Sequence, residues 1–488
     1  MTKHFFLLLA IPVIAMLLLV RTASAMNSNL ALPYTDGCSG PQTPYLSFYS
    51  PQSPDLIFSP ATMPGKNAPI EIDCQAGLRC VSLSWSLHRN MINKPFREGQ
   101  AEALTANRFR VRIVPDGLPP GFYDLSVVLN TGMPSAPNEP RPITGVCSFG
   151  WRIQDMPVRD TRPADFKAFW DKAKADLAKV PLDARDETPM QTFTHDQIND
   201  YNVTSAAIPP DYDPTGHKAE TVESCKISFA GPDGGRVYAW FAKPVGAGPF
   251  PAMLVLPGAG FAARPRPLEH ARHGYVAIDI QIHGQDVDLP GEYPKLPGYY
   301  DQQQYQPFDA YYYYKVHLRV LQAVNYLLSR PDVDPKRLAV AGGSQGGRLT
   351  IVAAGLDPRI TAVVSGIANS PNEPHLAWVD YCNGPAQSDG LYLVGAPPVD
   401  TTPKGIGFAY YDPMNYAQDI HCPVYCYGGL IDPVSPPYSV YAVYKRLGSK
   451  HKLYVPLPGL GHDWSGENDR RAWRWLDQVW QDSGKPKA

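Results

Sequence analysis

Between residues 27 and 154 the chain alternates apolar and polar positions in short runs broken by glycine, proline and asparagine. Runs at 79–85, 109–114 and 122–129 put every second side chain on one face, the period of a half-buried strand. Leu118-Pro119-Pro120-Gly121 reads as a turn into the last of them. This pattern predicts a small all-β, immunoglobulin-like sandwich over 26–155. It holds no cluster of candidate catalytic residues. At Thr161-Arg162-Pro163 the period lengthens: Phe166, Phe169, Trp170, Ala173 and Leu177 share one face of a helix. A hairpin follows from Lys226 to Ala242, turning through Gly231-Pro232-Asp233-Gly234-Gly235. Beyond it, continuously apolar strands at 252–256, 276–280, 338–341, 362–364, 424–427 and 453–455 alternate with helical stretches such as Val316, Val320, Val324 and Leu327. That alternation implies an α/β domain over 156–488 with a mostly parallel central sheet covered on both faces. Ligands of such sheets bind at the carboxyl ends of the strands.

The first 25 residues read as an export signal. Lys3 and His4 precede an apolar run from Phe5 to Val20, and Ala23-Ser24-Ala25 fits signal cleavage. A secreted or periplasmic location is the expectation, with no membrane span in the mature chain. Forty-four basic against 46 acidic side chains give a net charge of −2 with no basic stripe, which argues against nucleic acid as a partner. The eight cysteines show no zinc-finger spacing, so they read as structural, with no metal expected and disulfide connectivity left open. Glu269, His270 and His273 resemble a ligand cluster but fall on a helix and read as solvated.

The candidate chemistry sits after three of the strands. Leu338-Ala339-Val340-Ala341 runs into Gly342-Gly343-Ser344-Gln345-Gly346-Gly347, with a helix expected from Arg348. This is G-x-S-x-G between strand and helix, the context in which the motif has meaning. The serine needs a sharp turn with small neighbours, and the helix N-terminus offers N–H groups to a developing anion. A serine hydroxyl also needs a base and an orienting acid, and in this fold they follow in the order acid, then histidine. Asp432 follows the strand at 424–427 on a proline-braced loop, and His462 follows the strand at 453–455 through Pro458-Gly459-Leu460-Gly461. Asp463 and Glu467 are rival acids, both close behind His462 in sequence. The oxyanion hole takes the Gln345 N–H and a second donor from the turn Pro257-Gly258-Ala259-Gly260, where Ala259 stands between glycines. His283, just past the strand at 276–280, is a candidate pocket residue. Two long segments, 293–314 with its four-tyrosine run and 369–411, are candidate covers for the site.

The runs GGSQGG, GLIDPVSPP and GLGHDW, with the helix RPADFKAFW, resemble the acetyl xylan esterase/cephalosporin C deacetylase family, carbohydrate esterase family seven. The resemblance extends from about Arg162 to the C-terminus. It implies an α/β-hydrolase that removes acetyl groups from the hydroxyls of an acetylated carbohydrate, with no cofactor, with Ser344, Asp432 and His462 as the triad and Ala259 and Gln345 as oxyanion donors. The chain departs from the family in carrying Ala259 where an aromatic is usual. It also has His283 where D-x-R-G-Q-G places arginine, and an export signal and β-domain that many members lack. Oligomeric state is not legible. A peptidase, a thioesterase or an inactive carbohydrate-binding relative on the same fold remain alternatives.

Overall fold

A computed structural model of the chain describes residues 46–65, 68–90, 95–132, 143–158, 160–206, 208, 212–260, 262–289, 308–367, 407 and 409–483. The leader read at 1–25, Cys38, Cys382 and most of both long covering segments lie outside them. Two compact units result, one of Met1–Met156 with Gly429–Pro433 and Pro456–Gly461, the other of Pro157–Gly428, Val434–Val455 and His462–Ala488.

Nine strands build the β region: β1 (Leu46–Tyr49), β2 (Ile57–Phe58), β3 (Ile70–Ala76), β4 (Ser82–Arg89), β5 (Arg97–Gln100), β6 (Glu102–Thr105), β7 (Arg108–Ile113), β8 (Gly121–Asn130) and β9 (Ile143–Trp151). They form two sheets, ordered β1-β3-β7-β6 and β2-β9-β8-β4-β5. Alternate residues are buried along β7 (Phe109, Val111, Ile113) and β8 (Leu125, Val127, Leu129), as the period of two requires. Cys74, Cys80 and Cys147 are buried free thiols.

The second unit carries a ten-stranded sheet. Its strands are β10 (Arg185–Asp186), β11 (Gln191–Thr194), β12 (Thr221–Ala230), β13 (Arg236–Pro244), β14 (Phe250–Leu256), β15 (Val276–Ile280), β16 (Val333–Gly343), β17 (Ala362–Gly366), β18 (Val424–Gly429) and β19 (Lys452–Leu457). The order is β10-β12-β13-β15-β14-β16-β17-β18-β19, with β11 also on β12. From β15 through β14, β16, β17 to β18 every pairing is parallel, and β12–β13 and β13–β15 are antiparallel. Helices connect the strands: α1 (Phe166–Leu177), α2 (His195–Ser205), α3 (Leu268–Arg272), α4 (Tyr312–Leu328), α5 (Gln345–Leu356), α6 (Pro413–Ala417), α7 (Pro437–Arg446) and α8 (Gly466–Ser483). This is the α/β-hydrolase fold with a mostly parallel sheet. Val276, Ile278 and Ile280 of β15 and Leu338 and Val340 of β16 are buried in one core with α1 and α4. Phe166, Trp170, Ala173 and Leu177 form the buried stripe of α1. Tyr311 and Tyr313 of the tyrosine run are buried in the same core, so those two rings are packing residues. Among the described residues no helix is long and apolar enough to cross a membrane.

Candidate active site

β16 ends at Gly343 and α5 begins at Gln345, so a single residue, Ser344, makes the whole turn. The helix therefore starts three positions earlier than the Gly346-Gly347 pair suggests from sequence; the Arg348 N–H already donates to the Ser344 carbonyl at 3.0 Å. Ser344 holds φ 57° and ψ −122°, a backbone region that L residues rarely adopt. Such strain costs on the order of 1–3 kcal/mol and persists only where the surroundings enforce it. Here they do. A Cβ on Gly346 would stand 2.2 Å from the Leu256 carbonyl oxygen, and one on Gly342 2.7 Å from the Gly346 carbonyl carbon. The two outer glycines of the motif thus let α5 and β16 close on the end of β14.

His462 meets the serine: its Nε2 lies 3.0 Å from Ser344 Oγ. The loop carrying Asp432 is stitched to the approach to His462 by two backbone bonds, Leu430 N–H to Leu457 O at 3.0 Å and Ile431 N–H to Leu460 O at 3.2 Å. A side chain on Gly429 would strike the Leu460 carbonyl at 2.2 Å. Asp432 itself is buried. The rival acids are occupied elsewhere: Asp463 accepts the Trp464 N–H at 2.7 Å, and Glu467 pairs with Arg471 at 3.2 Å, both in exposed positions.

The turn at Ala259 is held from both sides. Gln345 Nε2 donates to the Gly258 carbonyl at 3.4 Å, while its Oε1 accepts from Tyr313 Oη at 2.7 Å, which fixes the orientation of the amide. His283 is buried and sits between Gly260 O, 3.2 Å from its Nε2, and Tyr312 Oη, 2.5 Å from its Nδ1. A carbonyl only accepts, so Nε2 carries the proton and Nδ1 accepts from the tyrosine. Burial pushes the His283 imidazole down to about 4, keeping the ring neutral near pH 7.

The sequence comparison decides the family. The model for acetyl xylan esterase (AXE1) matches residues 200–479, more than half of the chain. The chain belongs to the acetyl xylan esterase family. An acetyl esterase of Xylanibacter ruminicola, Axe7A, is 31% identical over 308 residues, covering 60% of this chain and 63% of that relative, so the chain spans less than two thirds of it. Among solved structures, the acetyl xylan esterase of Paenibacillus sp. R4 is 25% identical, with a TM-score of 0.51, over 67% of this chain and 98% of that one. Acetyl xylan esterase 1 of Thermoanaerobacterium sp. JW/SL YS485, 22% identical with a TM-score of 0.50 over 66% and 99%, shares the fold.

Against this family frame, the structure brings Ser344 and His462 into hydrogen-bond contact and anchors the carbonyls on either side of Ala259. Two anchoring tyrosines, Tyr312 and Tyr313, had no individual signal in sequence. They are adjacent members of a run whose even and odd positions serve different partners. The sequence reading of Glu269 and His273 as solvated is corrected: both are buried, Glu269 held by Asn202 and Arg272, residues whose proximity the linear pattern does not reveal.

Proposed function

We propose that this chain is an exported serine esterase that removes acetyl groups from the sugar hydroxyls of acetylated oligo- or polysaccharides such as xylan, through an acyl-enzyme on Ser344. The observation that carries the reading is the 3.0 Å contact between His462 Nε2 and Ser344 Oγ at a strained elbow, in a chain of the acetyl xylan esterase family. His462 Nε2 takes the Ser344 proton as Oγ attacks the acetyl carbonyl. The tetrahedral oxyanion is met by the N–H groups of Gln345, at the first position of α5, and of Ala259. In a trans peptide the N–H points opposite to the carbonyl, so the grip of Gln345 on the Gly258 carbonyl sets the direction of the Ala259 N–H. The bond from carbonyl carbon to sugar oxygen then breaks, and His462 returns its proton to that oxygen. Water repeats the sequence on the acetyl-Ser344 ester and releases acetate. Asp432 is the acid that orients His462, supported by its burial and by the backbone bonds joining the two loops. No cofactor enters the reaction, and the leader read at 1–25 supports a location outside the cytoplasm.

Ser344→Ala should lower kcat by about 10⁴ to 10⁶, the range for a nucleophile acting with its base, and abolish labelling by a fluorophosphonate probe. Activity within about tenfold of the parent would remove Ser344 from the reaction. Substrate class is read from acetate release on acetylated xylan alongside p-nitrophenyl acetate, butyrate and octanoate. A falling kcat/KM with acyl length, tenfold or more by butyrate at about 1–3 kcal/mol per ill-fitting methylene, fits a small-acyl esterase. A flat or rising series indicates a general esterase, and turnover of peptide or thioester substrates alone indicates the other acyl-transfer readings.

A further inference from the structure

Three donor-bearing side chains outside the ester site converge at the other edge of the sheet. His273 is the C-terminal cap of α3 and lies three residues before β15 begins, at the end of the parallel strands opposite Ser344. The segment preceding β12 is fastened to the same point: the Lys218 and Ala219 N–H groups both donate to the Arg272 carbonyl, at 2.9 and 3.1 Å. This clamp carries Asp213 and His217 to His273. Asp213 Oδ1 lies 3.6 Å from His273 Nε2 and 3.9 Å from His217 Nε2, and the ligand atoms of all three residues fall within 4.8 Å of one another.

The protonation pattern makes this more than a cluster. His273 Nδ1 lies 2.9 Å from the Glu269 backbone carbonyl, an acceptor, so Nδ1 carries the ring proton. Its Nε2 is then a lone pair, fully buried, with no hydrogen-bond partner among the described residues, and it faces the Asp213 carboxylate. Two acceptors aimed at each other repel unless a proton, a water or a cation stands between them, and a divalent cation satisfies both at once. An imidazole whose far nitrogen is fixed by a carbonyl, with its near nitrogen free, is the usual arrangement of a metal-ligating histidine. The Tyr212 carbonyl, 3.1 Å from His217 Nε2, supplies a further oxygen. On binding, the His217 proton moves from Nε2 to Nδ1, and Nε2 turns from the carbonyl to the ion. The Glu269 carboxylate, 3.5 Å from His217 Nε2 and fixed through Oε2 by Arg272 and Asn202, adds negative charge beside the site.

We propose that Asp213, His217 and His273 bind a divalent zinc-class cation that fastens the segment before β12 to the end of α3. Two imidazoles and one carboxylate suit Zn²⁺ over Ca²⁺ or Mg²⁺, which take oxygen ligands. A tetrahedral ion with ligands at about 2.0–2.1 Å holds its donors roughly 3.3 Å apart, a contraction of a few tenths of an ångström from the Asp213 distances. Asp213 is exposed and free to make that movement. The ion stands at the edge of the sheet opposite the ester site and takes no part in hydrolysis.

The test uses the full chain stripped with a chelator and dialysed free of it. Zinc is titrated against a chromophoric competitor, Co²⁺ is added separately for its visible d–d absorption, and Tm is recorded with and without zinc. One zinc per chain, a four-coordinate cobalt spectrum and a rise in Tm are expected. Asp213→Asn, at an exposed position, and His217→Gln should each weaken zinc binding by about tenfold or more and abolish the rise in Tm. Substoichiometric binding by the parent chain overturns the proposal. So does stoichiometric binding that both variants retain, since the ion then sits elsewhere.

Discussion

Gly342 and Gly346 flank Ser344, and the backbone of β14 leaves neither room for a side chain. The neighbouring Gly343 differs: a Cβ there would have only Tyr427 Oη nearby, at 3.9 Å, and its φ is not in the left-handed region. Gly346→Ala should therefore cost more than about 3 kcal/mol, as a clash with rigid backbone does, and remove activity, while Gly343→Ala should change stability by less than about 1 kcal/mol. Urea titration of the two variants checks the contrast; equal costs would mean that β14 yields easily and that the elbow is not enforced from there. At His283 the argument concerns placement. The ring holds the Gly260 carbonyl one residue beyond Ala259. His283→Ala should lower kcat by about 10- to 100-fold, less than the loss of an oxyanion donor, with KM nearly unchanged. His283→Gln, which keeps an N–H donor, should recover part of that loss. A matching fall in both variants, or an effect confined to KM, would assign the residue to substrate binding.

At the scale of elements, what the sequence discloses depends on whether a residue's partners are local. The strands 252–256, 276–280, 338–341, 362–364 and 424–427 are recognisable because parallel strands buried on both faces must be apolar throughout; β14, β15, β17 and β18 follow those runs closely, while β16 begins five residues earlier, at Val333. β3 escapes because its Asp73 looks like a surface residue. It is fully buried, paired at 2.7 and 2.6 Å with Arg108 and Arg110 from β7, some thirty-five residues away. The early start of α5 is hidden by two glycines that look like a break and whose reason lies in β14. The order of the proposed triad, by contrast, is readable because each member lies within a few residues of the end of a strand, and strand ends share one edge of a parallel sheet. Helix α1 shows the same locality. Its apolar stripe predicts docking, yet the acceptor of the Trp170 indole N–H, Tyr410 O at 3.2 Å, belongs to a segment no pattern links to it. Trp170 is 1% exposed and packs against Tyr314, Tyr411 and Tyr416. Trp170→Ala should cost about 3–5 kcal/mol through the cavity it leaves. Trp170→Phe should cost less, since it keeps much of the ring volume and loses chiefly the hydrogen bond. A calorimetric loss below about 1 kcal/mol for the alanine variant would mean that α1 is only loosely held.

For the whole molecule, a net charge of −2 leaves little general self-repulsion, so pH dependence near neutrality falls to a few buried groups. His317, on α4, is fully buried and lies well below the usual histidine range, through burial first and then the Arg348 charge. His283 is held at about 4 by burial. Above about pH 6.5 both rings are neutral in the folded and unfolded chain, and neither affects stability. As pH falls further, the unfolded chain takes up a proton at each and the folded chain does not. Stability therefore drops by about 1.4 kcal/mol per pH unit for each ring, until the folded pKa is reached. Asp469 works in the opposite sense. Burial raises it to about 6, so below that pH the folded chain holds a proton the unfolded chain lacks, which offsets one of the buried histidines. His270, also held at about 4 by burial, adds a third loss, so the histidine losses outweigh the Asp469 gain and stability declines between pH 7 and pH 4.5. Urea unfolding of the second unit, followed by near-ultraviolet circular dichroism at pH 7, 5.5 and 4.5, should show that decline, with net proton uptake on unfolding. His283→Gln should remove close to one proton of that uptake, because glutamine does not titrate. Stability that is flat or rises on acidification, or an uptake unchanged in His283→Gln, would mean that the ring already shares its protons with solvent in the folded chain and does not sit sealed between Gly260 and Tyr312.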